Sequence, residues 1–288
     1  MHEYLRAVGF SEAHTRKQLK ELVEWVLDKP ERVSITSKSG GSNVAEASRE
    51  VGGRAGVTVI GEVDEYGNII PEYYFPYISS TRISSESVTS CTHESAREGY
   101  IGMCEDYRVG LALIFHVTNV VDVVRGMEDL DLKFTRVCFS ALAKDATVIL
   151  PLDQPERVPD RARNREEDAQ LLEDAAKGDI GAIAHVADEE IRRYKYIIEH
   201  LRDTDVFTMV ESFFMPHGLE SDQYYLMGTI QSANLVSNKM TGERFWRMLV
   251  ESNGIPITVA VNEKDIQGVP QAHCRLKCHV WLTGALKR

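Results

Sequence analysis

The amino-acid sequence predicts an α+β protein: two β-rich halves with antiparallel sheets, joined or covered by a helical segment near residues 165–203. Three observations predict it. Between Val57 and Leu150 short apolar runs alternate with turn residues, the pattern of an antiparallel meander. Between Ile180 and Arg202 apolar residues recur at steps of three and four, the spacing of one helix face. Between these stretches Pro151, Pro155 and Pro159 stand among Arg157, Arg161, Arg163 and Arg165, a change of composition that marks residues 151–167 as a linker. The predicted organisation is an N-terminal α+β half over 1–150, the linker, and a helical segment with a C-terminal α+β half over 168–288, free to pack as one unit.

Taken in order, Ser11 is placed to cap a first helix that carries Leu19, Leu22, Val23, Val26 and Leu27 and ends before Pro30. A short strand follows over Val33–Thr36. The loop Ser37–Asn43, with Lys38, Gly40 and Gly41, then leads into a helix over Val44–Val51. Strands are expected over Val57–Val63 and Ile69–Ile78 around the turn Asp64–Asn68, then over Ser84–Thr92, Gly99–Glu105 and Gly110–Thr118. A helix over Asn119–Met127 and strands over Phe134–Leu142 and Thr147–Leu150 complete the first half. Helices over Glu166–Lys177 and Ile180–Arg202 precede strands over Val206–Met215 and Gln223–Val236. Next comes a helix from Thr241 through Phe245, Trp246, Met248 and Leu249, with Gly254 just past its C-terminus. A buried strand over Ile255–Val261 and the loop Asn262–Pro270 lead to the last strand, Ala272–Leu282.

Composition bounds the function. The 288 residues are 43% hydrophobic and 27% charged, enough to bury a core and inconsistent with a disordered chain. No basic segment followed by an apolar run opens the sequence, and no apolar stretch is long enough to span a bilayer, so a soluble, cytoplasmic protein without membrane partners is expected. A formal net charge of -11 argues against extensive nucleic-acid binding, which rests on many cationic phosphate contacts. The five cysteines are odd in number and form no zinc-ligand pattern. Free thiols are expected, with no metal and no cofactor.

Against that acidic background the last strand stands out. Alternation puts Cys274, Leu276, Cys278, Val280 and Leu282 in an apolar row, and His273, Arg275, Lys277, His279 and Trp281 in a second row of cationic, titratable and aromatic groups. Such a row is suited to an anion, with Trp281 as a stacking surface. A solvated face whose cations pair with acids such as Glu211 or Asp222 is the plainer alternative. The Lys38, Gly40 and Gly41 loop is a second anion candidate, because backbone N–H groups ahead of a helix cradle phosphate, although it lacks the spacing of a P-loop. Cys91 and His93 share a strand face about 7 Å apart, too far for a nucleophile and its base. Glu105, Asp106 and Arg108 are expected to be solvated, His116 to be a core histidine, and His185 and Glu189 to be a surface pair on the long helix.

The opening Met1–Phe10, together with Thr241-Gly242-Glu243 and the ending Arg275–Leu282, resembles a family of uncharacterised cytosolic proteins from clostridial bacteria. The resemblance implies a bacterial cytoplasmic setting and assigns no catalytic residue. The residues themselves favour a non-catalytic binding or regulatory protein that uses a basic sheet face for an anionic small molecule or a protein partner. A hydrolase or transferase acting on a phosphorylated substrate, with Lys38 and the glycine loop holding phosphate, is the alternative. A structural homodimer through Ile183 and Ile191 is the third.

Overall fold

The computed structural model describes residues 2–37, 43–94, 99–128, 134–151, 211–218 and 221–287, together with the single positions 174, 179 and 181. A 3-10 segment, His2–Val8, opens the chain and is followed by α1 (Arg16–Asp28). Strands β1 (Arg32–Ser37), β2 (Asn43–Gly52), β3 (Ala55–Val63) and β4 (Ile69–Ile78) form one antiparallel sheet in chain order. The second sheet takes β5 (Thr89–Glu94), β6 (Gly99–Asp106) and β7 (Leu111–Val117), then, after α2 (Val120–Glu128), β8 (Arg136–Ile149). It continues with β9 (Phe213–Pro216), β10 (Gln223–Ser237), β11 (Arg244–Ser252), β12 (Ile255–Asn262), β13 (Ile266–Gln267) and β14 (Arg275–Lys287).

Five of these strands close on themselves. β8 runs parallel to β12, β12 pairs with β11, β11 with β10, β10 with β14, and β14 returns to β8 over thirteen residue pairs from Arg275↔Ile149 to Lys287↔Arg136. The result is a five-stranded barrel, and closure removes the exposed edges that an open sheet would present. β9 occupies the part of the β10 edge that β11 leaves open, and β7 joins β14 in parallel at Thr283↔His116. Strands on both sides of residues 151–167 therefore share one sheet.

The protein is thus mostly β, and the α+β expectation is corrected by particular elements. Residues 241–254 form no helix. Thr241 lies in a turn, Arg244–Ser252 is β11, and Asn253-Gly254, at φ 50° and 73°, is a two-residue hairpin turn rather than a helix cap. Val44–Val51 lies in β2, whose hairpin to β3 turns at Gly52, Gly53 and Arg54, all at positive φ. Phe134–Leu142 and Thr147–Leu150 belong to one continuous strand, β8, and Ser84–Thr92 shortens to β5. The cap of α1 is Thr15, which with Gln18 makes a capping box, and not Ser11. The linker 152–167, the Ile183 and Ile191 seam and, apart from the helical Asp174 and Gly181, the helices expected over 166–177 and 180–202 lie outside the described residues.

The core runs through the barrel and between the two sheets. Phe115 shows how tightly it is built. The ring lies edge-on to Phe139, 5.2 Å between centroids, and covers Gly102 on one neighbouring strand and Gly284 on the other. A Cβ at Gly284 would stand 2.6 Å from the Phe115 ring and 3.0 Å from Val137. Gly284→Val is therefore expected to destabilise the fold by about 2–3 kcal/mol, the usual range for overpacking a rigid core. Urea denaturation of wild type and variant measures the difference, and a change below about 0.5 kcal/mol would contradict this packing.

Candidate functional site

Register settles how the second row of β14 is presented. Arg275, Lys277, His279 and Trp281 stand opposite Thr229, Met227, Tyr225 and Gln223 of β10, so all four share one face. The opposite row, Cys274, Leu276, Cys278, Val280 and Leu282, is buried as expected. His273 is not part of the strand, since β14 begins at Arg275 and His273 occupies an exposed turn at φ 72°.

The two ends of the row are closed. At one end Trp281 is only 3% exposed. Tyr4 of the N-terminal 3-10 segment stacks on it at 5.3 Å, His116 lies 4.9 Å away, and its indole N–H donates to Asp222 Oδ2 at 2.7 Å. At the other end Arg275 is 4% exposed and its Nε donates to the Leu150 carbonyl at 3.2 Å. Burial lowers the Arg275 pKa while Glu211 acts to raise it, so one of the two acids named from the sequence does sit beside this row. Asp222 serves Trp281.

Only the middle of the row is open. Lys277 and His279 are half-buried, and His279 gathers neighbours that the sequence did not signal. Tyr225 stacks on it at 4.9 Å, and His217, just past β9, stands 4.7 Å from it and 5.1 Å from Tyr225. Lys144 and Asp145 come from β8, where Asp145 is paired with His279 and Lys144 occupies the register shift. The His279 Nε2 atom is buried and has no hydrogen-bond partner among the described residues. Burial, then the charge of Lys144 and His217, lowers the pKa of His279, and Asp145 and Glu3 work in the opposite direction. The cluster joins residues 217, 225 and 279 through three strands in register, information that no local motif carries.

Lys38, Gly40 and Gly41 lie outside the described residues, as do His185 and Glu189. Burial pushes the Cys91 thiol up to about 12, away from the thiolate form, and does the same to Cys104. All five cysteines are free thiols, and among the described residues no group of three or more His, Cys, Asp or Glu side chains is placed to hold a metal. Asp106 departs from the solvated expectation, being 2% exposed. Burial acts to raise its pKa, but bonds from Arg108 and Ser85 outweigh this and hold the carboxyl low. Arg108 in turn donates to the carbonyls of Gly254 and Ser84, which ties the β6–β7 turn to the β11–β12 turn.

A second polar cluster anchors the chain's start. Asn238 Nδ2 donates to the carbonyls of Val8 and Gly9 at 2.8 and 3.2 Å, Thr241 Oγ1 donates to Gly9 O at 2.6 Å, and Ser11 Oγ donates to Glu243 Oε2 at 2.6 Å. Asn262 Nδ2 donates to Arg6 O and to Glu243 Oε2, and Arg6 pairs with Asp265. A depression of about 300 Å³ beside it is lined by Thr241, Glu243, Arg244, Asn262 and Lys264, among others. Another, of about 320 Å³, lies between Asp122, Arg125 and Phe134. Neither is lined by the β14 row.

The three stretches that carry the family resemblance are therefore one contact in space: Tyr4 on Trp281, and Gly9 on Asn238 and Thr241. The family described as "Domain of unknown function, E. rectale Gene description (DUF3881)" matches residues 5–284. The chain belongs to this family. E. rectale, for whose gene the family is named, is clostridial. No curated protein and no solved structure matches the chain. No helix among the described residues is long and apolar enough to cross a membrane.

His116 is a core residue as expected, but not a satisfied one. It is 1% exposed, packed between Phe75 and Trp281, its Nε2 has no hydrogen-bond partner among the described residues, and burial lowers its pKa to about 3. Below about pH 6.5 the unfolded chain takes up a proton that the folded chain refuses, so stability falls as pH falls from 6.5 towards 3. This single group is expected to remove about 2 kcal/mol between pH 8 and pH 5. His116→Phe is expected to lose that part of the pH dependence, measured by urea denaturation at both values; an unchanged slope would show that His116 is protonated in the folded state.

Proposed function

We propose that the chain is a non-catalytic binding or regulatory protein that takes an anionic ligand or partner on the outer face of β14, at the window formed by Lys277, His279, His217 and Tyr225. The observation that carries this reading is the Nε2 of His279, buried without a partner among the described residues and packed against the rings of His217 and Tyr225 beside Lys277, in a chain of net charge -11. A buried nitrogen without a partner is costly unless something supplies the missing bond, and the proton that His279 takes up in acid selects an anion to supply it. Protonation of His279 adds charge at the same point. Asp145 stands across from His279 and Glu3 pairs with Lys144 at 2.8 Å, so these acids offset Lys144 and Lys277 at neutral pH and the site gains net positive charge as His279 takes up a proton in acid. The closed ends of the row leave room for one anionic group rather than for a strand of nucleic acid, and Trp281, under Tyr4, is no stacking surface.

The test is thermal denaturation and calorimetric titration with nucleotides, sugar phosphates and an acidic peptide, comparing wild type with Lys277→Glu/His279→Gln. A ligand at a hundred times its dissociation constant adds about 2.7 kcal/mol to the folded state, a shift of several degrees for a chain of this size. Wild type is expected to be stabilised, and the variant to fold and lose the effect. Binding should tighten as the pH falls through the lowered pKa of His279, because the proton it takes up favours the anion. Equal stabilisation of both proteins, or tightening on raising the pH, would contradict the assignment.

A further inference from the structure

A second cationic site lies on a different part of the molecule, where the β2–β3 turn meets β11. Arg54 and Arg247 stand close enough there for the charge of Arg54 to lower the pKa of Arg247, in addition to the larger effect of burial. Ser79 connects the two: its N–H donates to the Arg54 carbonyl at 2.9 Å, and its own carbonyl accepts from Arg247 Nη2 at 3.4 Å. The Arg247 Nε atom is buried without a hydrogen-bond partner among the described residues. Neither guanidinium makes an ion pair among the described residues, whereas Arg6, Arg32, Arg108 and Arg244 each have a carboxylate. The nearby Glu50 carboxylate accepts the backbone N–H of Arg54 at 3.0 Å and so holds the turn rather than either side chain.

The turn is built to hold Arg54 in place. Gly52, Gly53 and Arg54 follow one another at φ 131°, 59° and 61°, and the left-handed region is one that arginine rarely adopts. Gly53 lies so close to β10 that a Cβ would stand 2.8 Å from Val236 Cγ2, and Lys239 N–H donates to the Val51 carbonyl at 2.8 Å. A rare backbone conformation, fixed on both sides, thus holds the exposed Arg54 next to Ser79, whose carbonyl takes the guanidinium of Arg247. Like charges brought together in this way favour a ligand of opposite charge.

We propose that Arg54 and Arg247 form an oxyanion site that takes a phosphoryl group, free or carried on a small molecule. Two guanidiniums supply two charges and forked N–H donors, a match for the charge and the several acceptor oxygens of a phosphate dianion rather than for a single carboxylate. The site is independent of the β14 window.

The experiment follows melting temperature and calorimetric binding with inorganic phosphate, with glycerol phosphate and with acetate, all at matched ionic strength in a chloride background. The proteins are wild type, Arg54→Gly, Arg247→Gln and Lys277→Glu/His279→Gln. Phosphate is expected to raise the wild-type melting temperature and acetate to leave it unchanged. Arg54→Gly and Arg247→Gln should each weaken phosphate binding at least tenfold, and the β14 variant should retain it. Tighter binding of glycerol phosphate, lost in the same two variants, would identify the source as a phosphorylated small molecule; equal or weaker binding would identify inorganic phosphate. Without ligand, Arg54→Gly should melt no lower than wild type, since glycine accepts φ 61° and the like-charge contact is gone. A purely structural arginine would give the opposite result. No effect of phosphate on wild type beyond that of chloride, or equal effects on wild type and both arginine variants, would overturn the proposal.

Discussion

Strand β14 is hydrogen-bonded along both edges, to β8 over its whole length and to β10 and then β7 on the other side, and this double pairing closes the barrel. The rest of the structure depends on it. Closure needs a strand without free edges, and it gives β14 neighbours on both sides whose register decides what each of its side chains meets. Its inner row is therefore dry, and its outer row is covered wherever another element crosses it. Tyr4 covers Trp281, and the chain near Leu150 meets Arg275. What stays open is a gap of two residues, Lys277 and His279, between these covers.

The same architecture explains the placement of charge. An acidic protein offers carboxylates to its cations, and Arg6, Arg32, Arg108 and Arg244 each pair with one. Buried charges are instead built into networks. Glu46, 2% exposed, accepts from Arg32 and from the Val121 N–H at the start of α2; burial still raises its pKa, and the network is what makes its position tolerable. Asp106 and Arg108 do the same between two hairpin turns. Among the described residues the buried polar atoms left without a partner include Arg247 Nε and His279 Nε2, the atoms on which the two proposed anion sites rest.

Much of the strand content was legible in the sequence because alternation and turn residues coincide there: Ile69–Ile78 is β4, and Ile255–Val261 lies within β12. The helices expected over 44–51 and 241–254 failed for a shared reason. Short apolar runs fit either period, and the deciding signals were the turns that follow them, Gly52-Gly53 and Asn253-Gly254, which fold each run back as a hairpin. Of the site, the sequence showed the row but not its covers. That Trp281 lies under Tyr4, that His217 and Tyr225 meet His279, and that Ser79 joins Arg54 to Arg247 are consequences of register and of contacts between residues far apart in the chain. No local spacing records them.

Native-state amide hydrogen exchange tests the central role of β14 most directly. If the strand closes the barrel, the amides from Leu276 to Leu282 exchange only through global unfolding, with a free energy equal to that from denaturation, and edge amides in β5 exchange by smaller openings. Exchange of the β14 amides at a free energy well below the global value, while β2 and β3 stay protected, would show that the barrel opens at this strand and would contradict the account.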